Sequence, residues 1–343
     1  MLRAIALGEK ALGTAAPNPM VGCCIVHNDK IIGEGFTSPY GGPHAEVNAI
    51  KSVKDKSLLK EATLYVTLEP CSHFGKTPPC SDLIIEHNIP HVVIGLKDPH
   101  HKVAGQGIAR MKAANIAVEV GIEEMACREH HRRFLTSQES KRPYIILKWA
   151  ETWDGFIAPT PDKRASTPEP FWITNTYSRQ RVHQWRNEEQ AILMGTQTVL
   201  DDNPKMDVRN WKGKNPIRVL LDRQLKIPHH FHSMNGLVKT IVLTESERKT
   251  LHENIHCEKI TFDKEVAPEI TSVLHKHNII SVLVEGGSKT LQTFINANLW
   301  DEARIFKGDV LFGGGITAPV VNGQSTITET IKNDRLTILR NDM

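Results

Sequence analysis

The sequence predicts two successive α/β domains, and three observations carry that prediction. Its 343 residues fit two domains of roughly 150 better than one. Short apolar runs of strand length alternate with segments of helical period in both halves. A polar stretch, Ser137–Pro143, separates the halves and sets domain boundaries at 1–138 and 143–343.

Composition narrows the function classes. The formal net charge is +3, too small to argue for a nucleic-acid or membrane surface. Aromatic residues make up 6%, which argues against a base-stacking platform. Six cysteines without a signal-peptide pattern suggest a reducing compartment and a cytoplasmic protein. Met1–Leu12 has an apolar stripe broken by Arg3, Glu9 and Lys10, so it reads as an amphipathic helix. No run approaches the ~18 apolar residues that span a bilayer. The expected partner is a small molecule, and a homo-oligomer is expected.

In the first half, Pro17-Asn18-Pro19 forces an extended entry and holds the Asn18 amide in place. Val21–His27 and Lys30–Phe36 read as strands around a turn at Asn28-Asp29. Cys23 and Cys24 fall on opposite faces of the first strand and read as packing residues. Gly41-Gly42-Pro43 leads into a helix carrying His44 and Glu46. Thr63–Leu68 is a strand delivering Glu69-Pro70-Cys71, and Pro79-Cys80 starts a helix running to about His87. His91–Leu96 is the next strand, and Asp98-Pro99-His100 follows its end, where substrates bind in such sheets. Ile122–Thr136 reads as a closing helix, while His27, His87, His130 and His131 read as ordinary surface or boundary residues.

His44, Cys71 and Cys80 are candidate zinc ligands, and Glu46 is the candidate proton carrier. One imidazole and two thiolates fill three tetrahedral positions and leave the fourth for water. A glutamate two residues from the histidine reaches that water from the same helical turn, which is the constellation of zinc deaminases. A structural zinc site takes four protein ligands, and no fourth with ordinary spacing is apparent. Eight residues separate the cysteines, more than the usual two, so a loop bearing His73 and Lys76 is inserted between the ligands.

These residues resemble a known family. Pro17-Asn18-Pro19, His44-Ala45-Glu46, Glu69-Pro70-Cys71 through Pro79-Cys80, and Asp98-Pro99 are similar to the deaminase half of the bifunctional riboflavin-biosynthesis deaminase/reductases. The resemblance implies a cytidine-deaminase-like α/β/α domain. It implies as substrate 2,5-diamino-6-ribosylamino-4(3H)-pyrimidinone 5′-phosphate, which Asn18 would help hold and whose phosphate His73 and Lys76 would contact. The chain departs from the pattern at Thr37 and His100.

In the second half, Tyr144–Ala150, Phe156–Ala158, Ala191–Met194, Ile217–Asp222, Thr240–Thr244 and Ile279–Glu285 read as strands, mostly buried. Pro159–Pro170 reads as an exposed loop. Asn175 or Thr176 caps a helix carrying Arg179, Arg181 and Arg186. Glu285-Gly286-Gly287-Ser288 is a strand, a glycine turn and a helix start, whose amides could cradle phosphate or simply make a turn.

The full set from Arg142-Pro143-Tyr144 through Trp172-Ile173-Thr174 and Gly195-Thr196-Gln197-Thr198 to Glu285-Gly286-Gly287 is similar to the reductase half of the same family. That implies a dihydrofolate-reductase-like α/β domain and reduction of the ribosyl group to a ribityl chain by NADPH. It implies that Ala150, Trp172, Thr198, Asp202 and the turn Gly287, Ser288, Lys289, Thr290, Leu291, Gln292 and Thr293 serve the cofactor. Lys148, Arg186, Met206, Arg209 and Glu285 serve the substrate. The cofactors are therefore Zn2+ and NADPH. An alternative is a zinc nucleoside or base deaminase with an accessory C-terminal domain, which leaves the second half unexplained.

Overall fold

The computed structural model describes residues 1–72, 78–99, 104–163, 168–247, 250–263 and 265–341. It divides into Met1–Lys141 and Arg142–Met343.

The first unit opens with α1 (Leu2–Gly8), whose Ala4 and Leu7 pack with Cys24. Strands β1 (Gly22–His27) and β2 (Lys30–Phe36) form a hairpin. Asn28 and Asp29 both have positive φ, as a two-residue turn matched to strand twist requires. Helix α2 (Ala45–Ser52) packs closely on β2: a Cβ on Gly35 would stand 2.3 Å from the Ala45 carbonyl oxygen. Only glycine permits that approach, and it fixes the start of α2, where His44 and Glu46 sit. Then come β3 (Thr63–Val66), α3 (Cys80–Glu86), β4 (His91–Ile94), α4 (Gln106–Ala113), β5 (Ala117–Val120), α5 (Glu124–His130) and α6 (Arg132–Ser140).

The sheet order is β2-β1-β3-β4-β5, with β3, β4 and β5 parallel. Its core includes Cys23, Ile25, Leu64, Val66, Val92 and Ile94, covered by Ala49 and Ile50 of α2 and Ile84 of α3. Cys23 and Cys24 do face different clusters.

One strand was not foreseen, and two expectations are corrected. Residues 117–120 form an edge strand that is mostly exposed, so their sequence lacked a buried apolar pattern. The closing helix is two helices, broken at His131. His130 and His131 are buried rather than at the surface. The His130 Nε2–H donates to the Met20 carbonyl at 2.5 Å, next to the Asn18 loop. His131 Nε2 pairs with Thr67 Oγ1 at 3.0 Å, and that hydroxyl accepts the Gly22 amide at 3.1 Å.

The second unit opens with β6 (Tyr144–Glu151) and β7 (Phe156–Pro159), then α7 (Thr176–Glu188), capped by Asn175 Oδ1 on the Tyr177 and Ser178 amides. Next are β8 (Ala191–Gly195), α8 (Thr196–Asp202), β9 (Ile217–Leu221), β10 (Thr240–Thr244), β11 (Thr250–His252) and β12 (Ile255–Lys259). The remainder is α9 (Val266–Lys276), β13 (Ser281–Gly286), α10 (Ser288–Asn296), β14 (Glu302–Lys307), β15 (Gly315–Thr317), β16 (Gln324–Ile331) and β17 (Asp334–Arg340).

Among the described residues the main sheet runs β11-β12-β10-β9-β8-β13-β6-β14-β17-β16. Neighbours from β12 to β14 are parallel, and β7 pairs with β15 in a separate two-stranded sheet. The central strands are continuous apolar runs, such as Ile145–Leu147 and Val282–Val284, because both sheet faces are covered. Strands β14 to β17 are not among those read from the sequence; β16 carries no apolar pattern because it is exposed at nearly every position. Buried charge at this end is paired: Arg142 makes a two-pronged bond to Asp301, at 2.6 and 2.8 Å.

Burial, and then neighbouring His130, push the His131 imidazole well below its ordinary value of 6.5. The unfolded chain therefore takes up a proton near pH 6.5 that the folded chain refuses, so stability is lost as pH falls below that value. Urea unfolding of the full chain between pH 7.5 and 5 is expected to show this loss, and His131→Asn should flatten it. An unchanged slope in the variant would remove His131 as its source.

Candidate active sites

In the first unit the start of α2, the turn after β3 and the start of α3 converge. His44 is the residue before α2, and its Nδ1 lies 3.6 Å from Cys71 Sγ and 3.3 Å from Cys80 Sγ. Cys80 opens α3, with Pro79 just ahead of it rather than in its first turn, and the Cys80 amide donates to Cys71 Sγ at 3.3 Å. All three ligand atoms lie within 4.8 Å of one another. Bond lengths of about 2.0 Å to nitrogen and 2.3 Å to sulfur in a tetrahedron put N and S roughly 3.5 Å apart, so this donor set fits zinc.

Without a metal the two thiols divide in proton affinity. Cys71 is pulled down to about 4 by its bonds from Cys80 and then His44, against the opposing effect of burial; Cys80 is pushed up by the same pairing. A divalent cation takes both as thiolates. Glu46, only 4% exposed, is pushed up to about 7, first by burial and then by the Cys71 thiolate. Positive charge at the triad acts in the opposite direction.

His44, Glu46 and Cys71 line a cavity of about 270 Å³ with Asn18, Thr37, Glu69, Asp98 and Phe134. Thr37, the departure from the resembled pattern, is structural: its hydroxyl accepts the Val21 amide at 3.0 Å and donates to the Pro19 carbonyl at 3.0 Å, fixing the loop that presents Asn18. His73, Lys76 and His100 lie outside the described residues.

Glu69 was quoted in the motif without a role, and the structure supplies one. Its buried carboxylate accepts four amides: Asp98 (3.3 Å) and Gly105 (2.9 Å) on one oxygen, Gly107 (3.1 Å) and Ile108 (3.3 Å) on the other. It thus satisfies first-turn donors of α4 and ties that helix and Asp98 to the Cys71 turn. Gly107 allows the approach, since a Cβ there would stand 2.2 Å from the Pro70 carbonyl oxygen. Nothing in local sequence distinguishes such a glutamate from a surface one.

In the second unit a cavity of about 640 Å³ follows the carboxyl ends of β9, β8, β13 and β6. Lys148, Ala150, Thr198, Asp202, Glu285, Gly287, Ser288, Lys289, Thr290, Leu291 and Thr293 all line it. The turns after β8 and β13 pack face to face: the Gly287 amide donates to Thr198 Oγ1 at 2.8 Å, and a Cβ on Gly195 would stand 2.5 Å from Thr290 Oγ1. The first turn of α10 therefore presents its amides to the cavity, a cradle suited to a cofactor's phosphates.

Five candidates do not line the cavity: Trp172, Gln292 and Met206, and Arg186 and Arg209, which are described below. Trp172 is 56% exposed beneath the Arg179 guanidinium and does not line the cavity, whereas Phe171 and Ile173 do. Gln292 bonds Asn296 and accepts the Val320 amide. Met206 is fully buried in the core.

At the β6 end, Glu285 meets Arg186 through two bonds of 2.6 and 2.8 Å and Lys148 at 3.5 Å. Burial opposes its charge, but Arg186 and Lys148 outweigh that and hold it at about 2. Arg186 and His183 both donate to the Asp207 carbonyl, and buried Arg218 donates to the Lys205 carbonyl. These bonds shape the segment that carries Arg209, which is 38% exposed at its side chain and pairs with Asp207. His183 was not singled out from sequence, since one histidine on a helix carries no signal.

Residues 1–96 match the cytidine and deoxycytidylate deaminase zinc-binding region, and residues 143–342 match the RibD C-terminal domain. Fold and sites together thus define a two-part enzyme, a zinc-dependent deaminase unit followed by a reductase unit. The riboflavin biosynthesis protein RibD of Synechocystis sp. is 38% identical over 332 residues, covering 94% of this chain and 87% of that protein. The RibD of Aquifex aeolicus is 37% identical, covering 97% and 92%. The crystal structure of a diaminohydroxyphosphoribosylaminopyrimidine deaminase/5-amino-6-(5-phosphoribosylamino)uracil reductase from Thermotoga maritima superposes with a TM-score of 0.88 at 37% identity, covering 100% of this chain and 97% of that one. The chain belongs to the RibD family of bifunctional riboflavin-biosynthesis enzymes.

Glu69→Gln replaces one acceptor oxygen with a donor and leaves two of the four amides unmatched. We expect a loss of about 1–3 kcal/mol in urea unfolding, slower ammonia release and unchanged zinc content. Wild-type stability in the variant would show that the four bonds do not hold the loop.

Proposed function

We propose that the chain catalyses two consecutive steps. The first is hydrolytic deamination of 2,5-diamino-6-ribosylamino-4(3H)-pyrimidinone 5′-phosphate at pyrimidine C2. The second is NADPH-dependent reduction of the ribosyl group to a ribityl chain, giving 5-amino-6-ribitylaminouracil 5′-phosphate. The observation that carries this reading is the His44–Cys71–Cys80 cluster with buried Glu46 on the same small cavity, in a chain that continues into a RibD reductase unit.

His44, Cys71 and Cys80 would hold zinc, which supplies Lewis acidity towards water when bound. Glu46 takes a proton from the attacking water and hands it to the departing amine. Burial raises its proton affinity and positive charge at the triad lowers it, and the two effects together set its readiness to take and release a proton. Asn18, presented by the loop that Thr37 and His130 fix, orients the pyrimidine. His73 and Lys76 take the 5′-phosphate.

In the second unit NADPH supplies the hydride. The amides of α10 and the Thr198 turn hold the cofactor's phosphates, with Ala150, Trp172, Asp202 and Gln292 as further cofactor contacts. Glu285 and Lys148 face the sugar as a buried donor–acceptor pair, and Arg186 keeps Glu285 ionised and in place. Arg209 meets the phosphorylated substrate, since a guanidinium grips phosphate oxygens in pairs. Small phosphorylated substrates and six free cysteines support a cytoplasmic enzyme. We further read it as a homo-oligomer. No helix among the described residues is long and apolar enough to cross a membrane.

A split assay on zinc-loaded protein tests both steps. Given the diaminopyrimidinone substrate alone, it should release ammonia. Loss of absorbance at 340 nm should begin only when NADPH is added, and ammonia release that required NADPH would contradict this order. Glu46→Gln should retain zinc and lose ammonia release by at least ~100-fold, and near-normal turnover would remove Glu46 as the proton carrier. Cys80→Ser should lose the metal, and near-stoichiometric zinc by elemental analysis would contradict the ligand set.

A further inference from the structure

Polar groups meet a pyrimidine at its edge, where its donors and acceptors lie. The two faces of the ring are π surface and are met by apolar groups. In the deaminase cavity four lining residues can do this: Pro19, Val21, Leu68 and Phe134. Val21 and Leu68 are buried in the core and offer little area. Phe134 packs against that core but is only partly buried, and it is the one phenyl ring among the described lining residues. No step of the proposed reaction uses it.

Phe134 reaches the cavity because of the way α6 begins. His131 separates α5 from α6, and Phe134 follows three residues later. The two imidazoles at this break are buried and stand edge to face, 4.6 Å apart. His130 bonds Met20, the residue between Pro19 and Val21. His131 bonds Thr67, the residue before Leu68, at 3.0 Å. Each histidine thus holds a segment that supplies apolar lining, and the same break sets the register of Phe134. Gly8 leaves room for the pair, since a Cβ there would stand 2.6 Å from His130 Nε2. Leu135, beside Phe134, is buried in the core, so a rotation of α6 about its axis would displace both.

We infer that Phe134 binds the face of the substrate's pyrimidine ring and that His131 positions it there. The inference rests on the deaminase reading and adds to it a substrate contact on α6, outside the metal site. A cavity of about 270 Å³ lies below the usual range for drug-sized ligands, which suits the heterocycle alone. With the ring's reacting edge at the triad and Glu46, its face falls to the apolar side. A phenyl ring there, stacked with an offset or edge-on, fixes the plane of the pyrimidine. Phe134 touches the substrate but no reacting group, so its loss weakens binding more than turnover.

The test is steady-state ammonia release by the full zinc-loaded chain, with the diaminopyrimidinone ribosyl phosphate as probe. Zinc content, and NADPH oxidation on directly supplied deaminated product, are read in every variant as controls for folding. Phe134→Leu keeps apolar volume without the ring. It should raise KM by roughly five- to hundred-fold and leave kcat within about three-fold. Phe134→Tyr keeps the ring and should stay within about three-fold of the unaltered KM. His131→Ala should raise KM in the same sense with zinc retained. His131→Gln, whose amide nitrogen reaches the place of Nε2, should recover part of that loss. In the double variant His131→Ala/Phe134→Leu the losses should not multiply, because both remove one contact. The same cycle with His131→Asn, a milder change, guards against misfolding of the alanine variant. Unchanged KM in Phe134→Leu, or equal losses in the leucine and tyrosine variants, would overturn the contact. Losses that multiply would overturn the positioning role of His131. Either result leaves the deaminase reading standing, whereas a zinc-loaded unaltered protein that released no ammonia would overturn that reading and this inference with it.

Discussion

Charge buried at the carboxyl edge of a sheet is the constraint on which both units depend. An ionised group removed from water must find compensation within hydrogen-bond reach or give up its charge. The two units meet this demand in different ways. Glu69 keeps its place through four main-chain amides, which bind α4 and Asp98 to the turn bearing Cys71. Glu285 keeps its charge through Arg186 and Lys148, which outweigh the effect of burial. Glu46 has too little of either support to offset its burial, and its proton affinity rises to about 7. The carboxylate left least compensated is the one assigned to carry a proton. A carboxyl locked ionised by an arginine accepts protons poorly, and one fully capped by amides has no lone pair to spare.

The same contrast explains what was legible in the sequence. His44, Cys71, Cys80 and Glu46 could be read because metal chemistry restricts residue type and spacing, and the structure brings the three ligand atoms together. The central strands could be read because parallel strands buried on both faces are continuous apolar runs. Edges were harder. β5 and β16 bury little, so neither carries a periodic signal, although backbone pairing alone makes them strands. The histidines at 130 and 131 were misread because imidazole occurs both at surfaces and in cores. Only the tertiary partners, Met20 and Thr67, decide which. A supporting residue such as His183 acts on a main-chain carbonyl, and any segment offers those, so no pattern reveals it.

The reductase cavity shows how strand order divides labour along one site. Neighbouring parallel strands end side by side, and each contributes the residues that follow it. Reading across the sheet gives a paired lysine and glutamate, then a glycine turn with helix amides, then the Thr198 turn, and finally an arginine beside an apolar wall. Each step is set by the backbone spacing of the sheet rather than by flexible loops, so the order of chemical functions is fixed when the strands pair. An elongated ligand with a reacting end, a charged middle and an aromatic end fits such a row in one direction only. Reversed, it would set its aromatic end against Lys148 and Glu285, whose charges need a polar partner, and leave the apolar wall at Phe262 uncovered. Polarity along the row therefore favours one direction of binding for a ligand of that kind.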